Sequence, residues 1–402
     1  MIRRPATILA LLTGLNLLNY LDRYVMSAVL PEVQKPTELG LSNFKGGLLF
    51  TVFLVGYMLT APAFGALGDR MPRKHLIALG IVLWSLATMA SGFATGEKSL
   101  FAARAMVGVG EASYATLAPT IIDDITPSER KGRALSIFYI ATPVGSALGY
   151  LVGGFVAHRW GWRSAFWVAG GPGILLALVC LFIEEPQRKM EDKPDILRDL
   201  KKLLRVPLYV QGVLGYCAST AAVGAFSAWA PKYLVARYNV DLDVANFKFG
   251  VITVIAGAIG TIIGGRWADS PSTQSKGTNG LLRICAVGGL CGAPFALGCF
   301  VAPSANLFFV SVFFAILFIF LNTSPINAVV LSAVPVEVRA GAMALSILAI
   351  HVLGDVWSPP FVGLLADHMP IQYAMMALPL MVVSSGALWW PRRRAAVGTG
   401  SG

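Results

Sequence analysis

The chain has 402 residues, of which 56% are hydrophobic and 13% are charged. A soluble domain has roughly 25% charged residues, so this composition excludes an ordinary soluble protein. The net charge of +11 does not indicate nucleic-acid binding, because the basic residues fall in the gaps between apolar runs. These runs are continuous, which excludes a β-barrel, whose strands alternate polar and apolar residues. We expect an all-α integral membrane protein.

The apolar runs predict twelve transmembrane helices arranged as two pseudo-symmetric halves. Twelve helices of about 20 residues leave room for short loops only. A long polar stretch divides the chain into an N-terminal half (1–184), a cytoplasmic linker with a short interfacial helix (185–205), a C-terminal half (206–391) and a basic tail (392–402). We place the helices near residues 6–31, 44–68, 74–95, 99–125, 133–157, 162–184, 207–236, 246–268, 280–302, 305–334, 340–366 and 371–390.

The distribution of Lys and Arg predicts the orientation of the chain. If the N-terminus is cytoplasmic, the cytoplasmic segments hold 22 of the 32 basic residues, the opposite side holds eight, and two lie within helices. Basic residues near helix ends are retained on the cytoplasmic side of a membrane. We therefore expect both termini to be cytoplasmic.

The first predicted helix carries polar residues on one face. Asn16, Asn19 and Arg23 follow i, i+3, i+7 spacing, and Asp22 lies at the edge of the same face. A charged residue at the centre of a membrane helix costs about 2.5–3.5 kcal/mol on insertion scales. We expect these residues to pair with opposite charges or to face an aqueous path.

The loop after the second predicted helix contains the run GALGDRMPRK, which fits the pattern G-x-L-x-D-R-x-x-R-K. Gly65 permits a close helix contact, and Asp69 can face a helix N-terminus, where the helix dipole favours a carboxylate. The cations of the run can pair with acids or lipid phosphates; they are Arg70, Arg73 and Lys74. With twelve helices in two halves, this run makes the whole chain resemble the major facilitator superfamily. The resemblance implies a cytoplasmic gate formed by Asp69 and Arg70 with Arg130 and Arg133.

The fourth predicted helix places Arg104 and Glu111 on one face. At 1.5 Å per residue, Arg104 lies about 8 Å and Glu111 about 18 Å below the outer end, close in height to Asp22 and Arg23. An Asp22–Arg104 contact and an Arg23–Glu111 contact are both possible. Burial disfavours a charged carboxylate and a nearby arginine favours it, so motion that joins or separates the two changes proton affinity. We expect a proton-coupling network, and a static ion network is the alternative.

The second half repeats signatures of the first. GALGD ends the second helix and GRWAD the eighth, while PSER and PVEVR follow the fourth and tenth helices. Parallel repeats of this kind place a substrate path between the halves. The second half offers no charge to this path, and its helices 7 and 10 suit an apolar substrate tail. Their candidates are Tyr216, Ser219, Thr220, Phe226, Trp229, Phe313, Phe314, Phe318, Asn322, Thr323, Ser324 and Asn327.

Three further features concern single helices. In the fifth helix, four glycines form a small-residue face for tight packing, Gly145, Gly149, Gly153 and Gly154. In the eleventh helix, Asp355 follows His351 by one turn, and both a structural polar pair and a functional role remain open. Asp123 and Asp124 are expected to act as a gate or cap element.

A membrane-embedded enzyme is the different class to weigh. The four histidines show no metal-ligand spacing, the five cysteines form no CxxC pair, and no Gly-x-Ser-x-Gly or phosphate-binding loop is present. We expect no enzymatic activity, no metal and no cofactor.

The runs Asn19-Tyr-Leu-Asp-Arg23 and Gly108-Val-Gly-Glu-Ala-Ser-Tyr114 resemble the spinster branch of the superfamily. The resemblance implies alternating access, an amphipathic lysolipid or sphingolipid-like substrate, and functional roles for Arg104 and Glu111. We include Tyr114 among the path residues and expect proton coupling. Short termini and loops resemble a bacterial member, so we expect a monomer in the bacterial inner membrane. A proton-coupled organic-anion (sugar acid) symporter is the alternative, because its helix 1 also carries Tyr-x-Asp-Arg.

Overall fold

The computed structural model describes residues 2–127, 130–185, 201–335 and 338–391. The described part is helical apart from one isolated bridge between Ile2 and Ile183. Most of the predicted linker and its interfacial helix, and the basic tail 392–402, lie outside these residues.

Twelve helices account for the described residues once segments that continue across a break are joined, and the predicted boundaries agree with them within a few residues. The N-terminal half contains α1 Pro5–Val33, α2 Asn43–Gly68, α3 Arg73–Gly92, α4 Glu97–Ile125, α5 Lys131–Trp160 and α6 Trp162–Cys180. The C-terminal half contains α7 Pro207–Tyr238, α8 Leu242–Ala268, α9 Gly277–Val301, α10 Ala305–Phe320 with Thr323–Ser332, α11 Arg339–Ile350 with His351–Asp355 and Ser358–His368, and α12 Ile371–Met375 with Ala377–Trp389. A short helix, Pro271–Gln274, precedes α9.

Ten of these helices are long and apolar enough to cross a membrane. The other two, α1 and α4, carry the charged residues Asp22, Arg23, Arg104 and Glu111, which lower their mean hydropathy. Both are 29 residues long, which at 1.5 Å per residue exceeds the roughly 30 Å hydrocarbon core of a bilayer. The described chain is therefore a multi-helix membrane protein.

Prolines account for the breaks in the last three helices. Proline has no backbone N–H, so the carbonyl four residues earlier loses its helical partner. Pro325 in this way frees the carbonyl of Leu321 in α10, and Pro379 frees that of Met375 in α12. The breaks fall at or beside those carbonyls, at Leu321 and Met376.

The predicted small-residue face of α5 packs against α1. A Cβ at Gly145 would lie 2.4 Å from the carbonyl oxygen of Leu17, and one at Gly149 would lie 2.5 Å from that of Leu21. Real Cβ atoms are not found at such distances, so only glycine allows the two helices this separation. The expectation of tight packing is confirmed.

We call the end of the bundle that contains residues 34–42 the outer end, and the end that contains residues 69–72 the inner end. The halves contact each other closely toward the outer end, where α2 packs against the last segment of α11. A Cβ at Gly47 would lie 2.5 Å from Pro359 O, and one at Gly363 would lie 2.3 Å from Asn43 O. The cytoplasmic assignment of the inner end stays a prediction.

Candidate functional site

A cavity of about 1220 Å³ lies between the two halves. Its lining continues to the inner part of the bundle, where it includes Pro119 of α4, Leu135 of α5 and Asn327 of α10. Typical small-molecule sites measure about 300–1,000 Å³, so this one accommodates a ligand larger than a simple metabolite.

Arg23 is the cation that faces this cavity from the N-terminal half. Its Nη2 donates to Glu111 Oε2 at 2.6 Å, and the Arg23 side chain is 23% exposed while that of Glu111 is fully buried. The Arg23 guanidinium also lies 4.9 Å from the ring centroid of Tyr20 and 4.8 Å from that of Phe53. Aromatic faces attract a cation, so these rings fix the guanidinium at the cavity wall.

Arg104 and Asp22 form a second, wholly buried pair behind this wall. Arg104 Nη1 lies 4.0 Å from Asp22 Oδ1, and both side chains are essentially inaccessible to solvent. Asp22 Oδ2 accepts a hydrogen bond from Thr88. The spacing allowed either ion pair, and the structure contains both.

This network is incompletely satisfied. Among the described residues, Arg104 Nε, Nη1 and Nη2, Asp22 Oδ1 and Glu111 Oε1 are buried without a hydrogen bond to another protein atom. An unpaired buried donor or acceptor costs about 1–3 kcal/mol, and more when it is charged.

Of the remaining predicted path residues, three line the cavity and two are packed away from it. Asn16, Asn19 and Asn327 line the cavity. Tyr114 does not, because its hydroxyl donates to the carbonyl of Leu12 within the N-terminal core. Asn322 is also packed away from the cavity, and its Nδ2 donates to Ser219 Oγ at 3.3 Å.

Aromatic residues line the cavity on both halves, and not only on helices 7 and 10 as expected. Of the candidates on α7 and α10, the cavity lining includes Tyr216, Phe226, Thr323 and Ser324. The predicted Phe314 and Phe318 instead pack against Phe295 of α9. Residues that the sequence did not single out also line the cavity, namely Tyr20, Tyr24, Tyr57, Tyr139, Tyr150, Phe249, Phe300 and Phe320.

In the run 65–74 at the inner end, which we call the inner-end signature, Arg73 contacts charged and polar side chains of other segments. Its side chain is buried and contacts Glu185 at 2.6 Å, Asp124 at 2.6 Å and Thr120 at 2.9 Å. Lys74 Nζ donates to the carbonyl of Ile183 at 3.0 Å. Arg73 and Lys74 therefore tie α3 to α4 and to the segment that follows α6.

Other predicted gate residues lie nearer the surface. The side chains of Arg70, Arg130 and Arg133 are exposed, and Asp69 is half-buried. A Cβ at Gly65 would meet only Thr116 Cγ2 at 3.7 Å, an ordinary contact, whereas one at Gly68 would lie 2.4 Å from Leu117 Cδ2. The close approach within this signature is therefore at Gly68.

The outer end is closed by a polar cluster, which we call the outer seal. Asp367 of α11 accepts hydrogen bonds from the backbone N–H groups of Asn43 at 2.7 Å and Phe44 at 2.9 Å, at the start of α2. Lys232 of α7 donates to the side chains of Asn43 and Gln34. Residues of one half thus satisfy backbone and side-chain groups of the other.

Comparison with known proteins gives the family. The family model described as Major Facilitator Superfamily matches residues 12–354. Human protein spinster homolog 1 is 36% identical over 395 residues, which cover 91% of this chain and 74% of the human protein. The zebrafish (Danio rerio) protein named sphingosine-1-phosphate transporter SPNS2 is 32% identical, covering 96% and 83% of the two chains.

The solved structures agree on the fold. A crystal structure described as a bacterial homologue of the human lysosomal transporter spinster, inward-facing and unoccupied, superimposes with a TM-score of 0.86 at 21% identity. It covers 96% of each chain. A D-xylose–proton symporter superimposes with a TM-score of 0.76 at 18% identity, covering 96% of this chain and 97% of the symporter.

Proposed function

The chain belongs to the Major Facilitator Superfamily and is a membrane transporter of the spinster type, and from that premise we propose that it moves an amphipathic lysolipid or sphingolipid-like substrate by proton-coupled alternating access. The single observation that carries the proposal is the cavity, with one cation, Arg23, on a wall that is otherwise largely aromatic and aliphatic. A charged head group pairs with Arg23, and an apolar tail lies along the C-terminal wall.

The outer seal and the cavity support alternating access. Contacts between the halves close the outer end, while the cavity lining extends toward the inner end. This arrangement corresponds to an inward-facing state, and rocking of the halves about the cavity would break the outer seal and close the inner end.

The ion network supports proton coupling. Glu111 has one oxygen paired with Arg23 and the other unpartnered, and Asp22 has one oxygen bonded to Thr88. A substrate anion that binds Arg23 competes with Glu111, which favours protonation of the released carboxylate. In this scheme Glu111 and Asp22 are the protonatable groups, and Arg23 and Arg104 are their partners.

A sugar-acid symporter is the second candidate, favoured by the same Arg23. It is the weaker one because the described lining of the cavity is largely aromatic and aliphatic. A sugar acid has one carboxylate and several hydroxyl groups, which gain little from such walls, whereas the apolar tail of a lysolipid is stabilised by them.

A binding experiment tests the proposal. Purified protein in nanodiscs is titrated with a lysophospholipid, with sphingosine phosphate and with a hexuronate, in wild type, Arg23→Gln and the control Arg163→Gln. Arg163 pairs with Glu38 at the outer end, at 2.6 Å, and does not line the cavity. We expect saturable lipid binding that Arg23→Gln weakens and Arg163→Gln does not. Binding of the hexuronate alone would transfer the protein to the organic-anion class.

A further inference from the structure

Helix α11 contains a π-helical turn at His351–Asp355, where it borders the cavity. The backbone N–H of Val356 bonds to the carbonyl of His351, five residues earlier, at 3.1 Å. Pro360 follows and has no N–H for the carbonyl of Val356, and Thr51 of α2 donates to that carbonyl instead. Single π-turns within α-helices occur frequently at functional sites.

The turn brings the side chains of His351 and Asp355 together. His351 Nδ1 lies 3.1 Å from Asp355 Oδ1 and 3.2 Å from Oδ2, and the two side chains are 20% and 19% exposed. Because Nδ1 faces a carboxylate, it carries the hydrogen, and Nε2 is left as the acceptor of the neutral ring. A carboxylate in this position fixes the tautomer of the ring.

The groups around the pair come from three other helices. The ring of Tyr57, on α2, lies edge-on to the His351 ring with centroids 6.3 Å apart, and Arg23 of α1 lies 6.0 Å from the centroid of the Tyr57 ring. On α7, a Cβ at Gly224 would lie 2.7 Å from Asp355 Cβ, so glycine permits this approach. The titratable side chains of α7 that interact electrostatically with Asp355 are Tyr216 and Cys217.

These contacts form a chain across the cavity from Glu111 through Arg23 and Tyr57 to His351 and Asp355. Arg23 pairs with Glu111. With Asp355 ionised and the ring of His351 neutral, the His351–Asp355 pair carries one negative charge. When a hydronium ion in the cavity gives its proton to Nε2, one O–H bond of the hydronium breaks, a water molecule is left, and the charge of the pair becomes zero.

We propose that His351 is a second protonation site of this transporter, located in the C-terminal half and exposed to the cavity, with Asp355 as its positioning residue. The assignment of His351 rests on the proposed function in one respect, which is the coupling of protons to transport. Protonation removes a net negative charge from the C-terminal wall, so a substrate with an anionic head group binds more tightly to the protonated protein.

The direct test follows the imidazole and needs no substrate. Full-length protein with ¹⁵N-labelled histidine is titrated in nanodiscs, and the His351 signal is assigned by its loss in His351→Gln. The matched control is His368→Gln, which changes the exposed histidine of the same helix. We expect the His351 signal to titrate between about pH 5 and 8 and its midpoint to fall in Asp355→Asn. A ring that keeps one protonation state over that range, or an unchanged midpoint in Asp355→Asn, overturns the proposal.

The second test links the site to transport. Lysophospholipid affinity is measured at about pH 5.5 and about pH 7.5, on either side of the ordinary histidine midpoint. We expect a several-fold higher affinity at the lower pH in wild type and His368→Gln, and a smaller ratio in His351→Gln, where only the Glu111–Arg23 network still responds to pH. An unchanged ratio in His351→Gln contradicts the inference. If no lysophospholipid binds to wild type, the proposed substrate is wrong, and the histidine titration still decides the protonation site.

Discussion

Arg104 has a fully buried guanidinium whose nearest carboxylate oxygen is 4.0 Å away. Removing one partner of a buried ion pair leaves an uncompensated charge and typically costs about 3–5 kcal/mol. We expect Arg104→Gln to lower the free energy of unfolding by about 3 kcal/mol, and Asp22→Asn added to it to recover part of that loss. Thermal unfolding of both single variants and the double variant gives the coupling energy, expected at about 0.5–3 kcal/mol.

Lys45 and Glu97 provide the control for this cycle. Their ion pair at the outer end has a length of 2.6 Å, and the side chains are 45% and 40% exposed. Exposed pairs contribute about 0–1 kcal/mol. A coupling energy for Arg104 and Asp22 no larger than that of Lys45 and Glu97 would contradict their pairing in the membrane.

Tyr114 shows that residue spacing alone does not predict whether a side chain lines the cavity or packs in the core. It follows Glu111 by three residues and therefore shares its helical face, yet its hydroxyl bonds to Leu12 and its ring packs 5.6 Å from that of Trp84. Spacing gives the face of a helix, but not how deep into the bundle a long side chain reaches. The faces and heights of Asp22, Arg23, Arg104 and Glu111 were predictable, and the role of Tyr114 was not.

Tyr114→Phe tests the packing role directly. The substitution leaves the carbonyl of Leu12 without its hydroxyl partner, so we expect a loss of about 0.5–1.5 kcal/mol of stability. Lysolipid affinity should stay unchanged, because Tyr114 does not line the cavity. Weaker binding without a loss of stability would place Tyr114 in the substrate path after all.

At the scale of elements, the contact between α1 and α5 depends on glycine. A Cβ at Gly149 would lie 2.5 Å from the backbone oxygen of Leu21 and 2.7 Å from Tyr24 Cβ, so Gly149→Ala must separate the helices. We expect a loss of about 1–3 kcal/mol in the unfolding free energy. Gly14→Ala on α1 is the control, because nothing lies within 4 Å of its Cβ. Equal effects of the two substitutions would show that helix separation is not the cause.

The regular elements were predictable because apolar runs of about 20 residues have one stable solution in a bilayer. The breaks in α10 and α11 were not, although Pro325, Pro359 and Pro360 were signals for them. A proline shows which carbonyl loses its partner, but not how the helix relaxes around it. Asn322, at the α10 break, faces Ser219, while Asn327 faces the cavity.

At the scale of the whole molecule, we expect the outer seal to set the balance between the proposed inward-open and outward-open conformations. Asp367→Ala removes the acceptor for two backbone N–H groups of the other half. We expect it to favour states with an open outer end, seen as longer distances between spin labels at Lys98 and Asp241 in a Cys291→Ser background. The control is Asp243→Ala, since Asp243 bonds only within its own helix, to Val244 N, among the described residues. Unchanged distances in Asp367→Ala would show that the seal does not hold the state.

The central claim is that lysolipid movement is coupled to protons through Glu111. The most direct measurement follows internal pH in proteoliposomes after a lysophospholipid is added, in wild type and Glu111→Gln. The account predicts substrate-dependent proton movement in wild type and a much smaller movement in Glu111→Gln, while that variant still binds the lipid. Lysolipid transport with no proton movement in wild type, or proton movement undiminished in Glu111→Gln, would contradict it.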